Sequence, residues 1–136
     1  MKTLKLGITG TKTFENKNKI KEFIFKVKSQ TDKPIVIVGL GDYAGADKHI
    51  KKYALEFGYK YEEFNLPHTP KNLYSIMAES FYDKPFNIKN IHVRNKIYSN
   101  YIDSCVIFDD SGLKDKKINA INRELKRAKK RCIVIA

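Results

Sequence analysis

The stretch that decides the fold is IVIVGLGDYAGADKHIKKYALEFG (35–58). Four consecutive β-branched residues form an apolar run too short for a helix, and Pro34 bounds it. That run predicts a strand covered on both faces, as in a parallel sheet. Gly39, Gly41 and Gly45 follow within seven residues, and then Ile50, Tyr53, Ala54 and Phe57 recur at helical spacing over 46–57. Gly58 supplies a helix stop. Three glycines between a buried strand and a helix mean either a tight turn or a backbone that something approaches closely.

The same alternation extends in both directions. LKLGIT (4–9) predicts a first strand ending at Gly10, and Ile20, Phe23, Ile24 and Val27 mark a helix over 16–28. YKYEEFN (59–65) alternates apolar with polar and predicts a third strand at a sheet edge. Residues 66–88, broken by Pro67, Pro70 and Pro85, form an irregular insertion with a short helix expected near 71–81. A helix over 90–101, a buried strand SCVIFD (104–109), an amphipathic helix over 115–130 and a last strand CIVIA (132–136) complete the series.

This order predicts one α/β domain over 1–136, a Rossmann-like three-layer sandwich. A five-stranded, mainly parallel sheet in the order 3-2-1-4-5 would carry helices on both faces. Ligands of such sheets bind at the carboxyl ends of the strands where the order reverses, here between the first and fourth strands.

The 136 residues suit a single core, and the 42% hydrophobic content excludes a disordered chain. No apolar run reaches the ~20 residues of a membrane span, and MKTLKLGITG reads as a strand rather than an export signal. Cys105 and Cys132 lie in apolar runs, so a reducing, cytoplasmic setting without a disulfide is expected. The net charge of +12 comes from 23 lysines and only four arginines among the 27 basic residues. Lysine, asparagine, isoleucine and tyrosine are together what an AT-rich genome encodes. The charge therefore has two readings, base composition or selected binding of a polyanion.

Three turns are expected to meet at the ligand edge: GTKTF (10–14), GLGDYAGAD (39–47) and DDSG (109–112). Glycines admit a phosphate to backbone N–H groups, Thr11, Thr13 and Ser111 offer hydroxyls, and Lys12 offers charge. Asp42, Asp47, Asp109 and Asp110 offer carboxylates for a sugar, with a helix-capping role as the alternative for Asp47. The second turn is not the dinucleotide fingerprint, because its third glycine falls one residue late, and no Walker A motif is present. His49, His68 and His92 have no metal-ligand spacing with the cysteines, so neither a metal nor a cofactor is expected. Arg94, beside Asn95, suits either bidentate binding of a phosphate or a surface ion pair. In the last helix Lys116, Lys117, Arg123, Lys126, Arg127, Lys129 and Lys130 present either a solvated face or a phosphate-binding one.

GTKTF (10–14), GDYAGADKHIKKYALEFG (41–58) and HVRNKIYSNYIDSCVIFDDSG (92–112) together resemble the SLOG superfamily, and within it the small YspA-like branch. These blocks cover about a third of the chain. The resemblance implies a Rossmann-like relative of the LOG phosphoribohydrolases and of the DNA-processing DprA proteins. It implies a pocket lined by Gly10, Thr11, Lys12, Gly41, Gly45, Asp47, Arg94 and Ser111, to which position adds Gly39 and Asn95. The sequence departs from the family at three points. Lys12 stands where the branch has arginine, no Gly-Thr follows the fourth strand, and the Pro-Gly-Gly-x-Gly-Thr-x-x-Glu loop of the phosphoribohydrolases is missing.

The expected function is therefore binding of a nucleotide or nucleotide-derived ligand at the glycine-rich strand ends, in a sensor or sequestering role. Its base would stack on Tyr43 or on an aromatic of the 66–88 segment, such as Tyr74 or Phe81. One alternative is an N-glycosidase-like enzyme using Asp110 or Asp115. The other is a DprA-like nucleic-acid binder using the basic last helix. Folds of this kind dimerise through helices flanking the sheet, so a homo-oligomer is expected, with no membrane partner.

Overall fold

A computed structural model describes residues 2–136. The elements alternate: β1 (Leu4–Gly10), α1 (Lys17–Val27), β2 (Ile35–Gly39), α2 (Ala46–Glu56), β3 (Lys60–Glu63), α3 (Ile88–Tyr101), β4 (Ser104–Phe108), α4 (Lys116–Arg127) and β5 (Arg131–Ile135). All strands pair in parallel, in the order β3-β2-β1-β4-β5. This is the Rossmann-like arrangement expected from the alternation, with β3 on one edge.

Period-two alternation places successive residues of the central strands on opposite faces, and here both faces are buried. Leu6, Ile8 and Ile37 pack with Ile20 and Ile24 of α1 and Ile50 and Ala54 of α2. Val36, Val38, Cys105 and Ile107 pack with Tyr98 of α3 and Ile118, Ile121 and Leu125 of α4. The helix starts are fixed locally. Asn16, Asn87 and Asp115 each accept a hydrogen bond from a backbone N–H in the first turn of α1, α3 and α4, respectively. The Asp103 side chain accepts from the Lys5 amide, tying the end of α3 to the start of β1.

The region 66–88 departs from expectation. No α-helix forms over 71–81; a single 3₁₀ turn, Glu79–Phe81, is all that appears there. Side chains capture the backbone instead: Asn72 Oδ1 accepts from the Tyr74 amide, Ser75 Oγ donates to Asn65 Oδ1, and Asn65 Nδ2 donates to the Pro70 carbonyl. The Ile76 amide then donates to the Glu63 carbonyl and Ser75 forms a parallel bridge to Glu63, so the segment runs along the open edge of β3. Met77 and Tyr82 are buried there. Among the described residues, no helix is long and apolar enough to cross a membrane.

Candidate functional site

In each βαβ crossover the helix runs back along its strand, so the N-termini of α2, α3 and α4 lie at the carboxyl rim of the sheet. The three turns do meet at this rim. The Thr11 amide donates to the Phe108 carbonyl at 3.0 Å, and the Ala46 amide donates to the Thr11 carbonyl at 3.1 Å. The Thr11 and Thr13 hydroxyls both donate to Asp110 Oδ1 at 2.7 Å.

The glycines serve this convergence. Gly41 and Gly45 both have positive φ, 73° and 68°. A Cβ on Gly45 would enter the Lys12 backbone, and one on Gly41 would enter the Glu63 carboxylate. The space beside Gly10 is taken by Phe108 and Ala46, and that beside Gly39 by the Tyr61 hydroxyl. Three glycines in seven residues thus let the chain's own atoms approach.

The carboxylates at the rim are also engaged. Lys117 Nζ lies 2.6 Å from Asp42 Oδ2, 2.7 Å from Asp47 Oδ2 and 3.1 Å from the Gly10 carbonyl. Asp47 also accepts from the Thr9 hydroxyl at 2.8 Å. It does not cap α2, whose N-cap position is Gly45. Burial raises the Asp47 carboxyl above the usual carboxylate range against the opposing pull of Lys117. Burial pulls the Lys117 ammonium down, but the two carboxylates outweigh it, so it is held above the usual lysine range. Asp109 closes its own turn, accepting from the Ser111 amide and hydroxyl and from the Leu113 amide. Asp115 caps α4 through the Ile118 amide at 3.1 Å. The Thr11 and Thr13 hydroxyls hold Asp110 below the usual carboxylate range.

Open space lies beside the rim, over the α3/α4 face. A groove of about 850 Å³ is walled by residues that follow β1, β2 and β3, by the N-terminal half of α3 and by α4 from Lys116 to Lys126. Leu66, Phe86, Ile88, Ile91 and Ala120 make an apolar wall. Lys12, Arg94, Lys116, Lys117, Arg123 and Lys126 bring positive groups and His68 and His92 bring imidazoles, and among the described residues Asp42 is the one carboxylate in the lining. Of the sequence-derived site residues, Lys12, Arg94 and Asn95 line this groove. Gly10, Thr11, Gly39, Gly41, Gly45, Asp47 and Ser111 lie outside the lining, in the turn architecture beside it.

Arg94 is the distinctive group. It is 2% exposed. Its Nε donates to Asn95 Oδ1 and its Nη1 to the Phe64 carbonyl, both at 2.9 Å. Among the described residues no carboxylate lies within 4.0 Å of it, so it makes no ion pair. Burial pulls its guanidinium below the usual arginine range, against the opposing longer-range pull of Asp42 and Asp47.

Three parts of the site were not visible in the sequence. Phe86 and His68, packed edge to face at 5.2 Å, both line the groove. Of the aromatics expected to stack a base, Tyr43, Tyr74 and Phe81 do not line it, since Tyr43 is 89% exposed, Tyr74 packs on Tyr61 and Phe81 packs on Tyr82, whereas Phe86 of the same 66–88 segment does. The signal for Phe86 and His68 was the Pro-broken segment that holds them. Glu63, buried at the end of β3, receives the Tyr61 hydroxyl at 2.9 Å and Asn72 Nδ2 at 2.6 Å, and Lys51 lies 3.4 Å away. The bond between Lys117 and Asp47 spans 70 positions and carries no local signature. Among the described residues no group of three or more histidine, cysteine or acidic side chains is gathered for a metal. No protein-family model matches the chain, and no curated protein matches it.

Proposed function

We propose that the chain is a SLOG-like domain that binds a nucleotide or nucleotide-derived anion in the groove beside the carboxyl rim. The observation that carries this reading is Arg94, a buried cation on the groove wall that has no carboxylate within 4.0 Å among the described residues. An unpaired buried charge costs several kcal/mol, and a bound anion offsets that cost. The first turns of α3 and α4 add the positive ends of two helices at the same place. Lys12 and Lys116 supply further charge, and Phe86 with the Ile88–Ile91 wall offers an apolar bed for a base.

Binding is favoured over hydrolysis. Asp110 and Asp115 do not line the groove. Asp110 is held ionised by two hydroxyl donors, which unsuits it as a proton donor to a leaving base. Asp115 is engaged as the cap of α4.

The test is a thermal-shift screen with nucleoside monophosphates, cyclic nucleotides and ADP-ribose derivatives. A ligand at 100 times its dissociation constant stabilises the fold by about 2.7 kcal/mol. Arg94→Met should abolish the shift, whereas a flat response of the wild type to every phosphorylated nucleoside would defeat the reading.

A second reading rests on Arg123 and Lys126, which carry the groove's positive lining about 10–15 Å down α4 from Lys116. A groove of that length suits a short single strand of nucleic acid. That reading expects oligonucleotide affinity to fall steeply with salt, with a slope near −0.7 per phosphate engaged. A single-nucleotide ligand gives a shallow slope.

A further inference from the structure

Cys105 and Cys132 are 27 residues apart in sequence and direct register partners on the adjacent parallel strands β4 and β5. Neighbouring strands lie about 4.8 Å apart, within the ~4.4–6.8 Å Cα range that a disulfide spans. Both side chains point to the α3/α4 face, Cys105 inside that core and Cys132 packed at its margin. Cys105 is buried, while Cys132 is half-buried on the edge strand. The Cys105 thiol donates to the Val106 carbonyl at 3.9 Å, and the neighbouring Cys132 and burial push it up. Cys132 is thus the sulfur reachable from solvent, and Cys105 lies behind it.

We infer that Cys132 is an oxidation site for hydroperoxides and that Cys105 is its resolving partner, the two closing reversibly into a cross-strand disulfide. The Cys132 thiolate attacks the terminal oxygen of the peroxide. An S–O bond forms, the O–O bond breaks, and the departing oxygen takes up the thiol's proton and leaves as water or an alcohol. Cys132 is now a sulfenic acid, oxidised by two electrons. The Cys105 sulfur, giving up its proton, attacks the Cys132 sulfur. The S–S bond forms, the S–O bond breaks, and hydroxide leaves with that proton as water. Two thiols and one peroxide yield one disulfide, one water and one water or alcohol. Small thiols reduce the bond again by thiol–disulfide exchange. It joins the outermost strand β5 to β4.

The experiment treats the full chain with one equivalent of hydrogen peroxide, blocks free thiols with iodoacetamide and weighs the intact protein. The wild type should lose two hydrogens and take up no alkyl group, and dithiothreitol should restore two alkylatable thiols. Cys105→Ser should stop at a sulfenic acid on Cys132, trapped by dimedone. Cys132→Ser should consume peroxide at least about tenfold more slowly. Cys132→Ala, at a half-buried site, provides a second variant, with circular dichroism showing that each protein is folded. Two alkylated thiols after peroxide, a sulfinic acid on wild-type Cys132, a disulfide between two chains, or undiminished reactivity of both folded Cys132 variants would each overturn the inference.

Discussion

Lys117 Nζ sits between Asp42 and Asp47, at 2.6 and 2.7 Å, and thereby bolts the N-terminus of α4 to the turn after β2. One ammonium answers two carboxylates, and Asp47 is almost wholly enclosed. The rim's cation is thus already committed to holding the start of α4 against the turn after β2 and the start of α2.

Lys117→Met leaves two neighbouring carboxylates without their cation. Breaking a buried pair in this way should cost about 3 kcal/mol in urea or guanidinium unfolding. Adding Asp47→Asn to that variant should recover part of the loss, because the buried site then carries one negative charge fewer. Equal stability of the single variant and the wild type would contradict the geometry.

Gly45→Ala should destabilise by about 1–3 kcal/mol, because φ is positive there and the new methyl group meets the Lys12 backbone. Gly58→Ala makes the comparison: it shares the positive φ but has open space around it, so only the conformational cost applies. A larger loss at Gly58 than at Gly45 would refute the close approach of the first two turns.

Inorganic phosphate should stabilise the wild type in proportion to RT ln(1 + [L]/Kd). Arg94→Met should remove that response while staying folded. Its own stability should change by no more than about 2 kcal/mol, since losing a buried charge offsets leaving the Phe64 carbonyl without its donor. A phosphate response that survives in Arg94→Met would place the anion elsewhere.

Alkaline unfolding should begin near pH 10. Burial raises the hydroxyls of Tyr61 and Tyr98, and burial with the Glu62 contact pushes Tyr101 up to about 12. Above the ordinary tyrosine value of 10 the unfolded chain releases protons that the folded chain keeps, so stability falls as pH rises. Lys117 acts in the same direction: its stabilisation is complete below 10.5 and is lost as pH climbs through its raised folded value. Melting temperature against pH, with tyrosinate absorbance followed in parallel, checks this. Tyrosines that ionise freely at pH 10 in the folded chain would contradict it.

The architecture was legible in sequence because the signals for it are local. IVIV (35–38) can only be a covered strand, and the apolar residues of 46–57 and 115–130 recur with helical spacing whatever surrounds them. The missing helix over 71–81 shows where locality fails. Asn72, Ser75 and Asn65 had side chains able to capture backbone groups, and the open edge of β3 offered partners that a helix would have forgone.

The order of the strands, the helices on each face and the meeting of three turns at one rim were determined by the sequence itself, through periodicity and turn chemistry. Which charges remain available was decided only by the tertiary structure. Lys117 is occupied by carboxylates 75 and 70 positions away, the glycine turns are filled by the chain's own atoms, and Arg94 is buried against Asn95 and the Phe64 carbonyl rather than in an ion pair among the described residues. Burial and long-range pairing depend on atoms brought together from distant parts of the chain, and Coulomb energy depends on their separation in space.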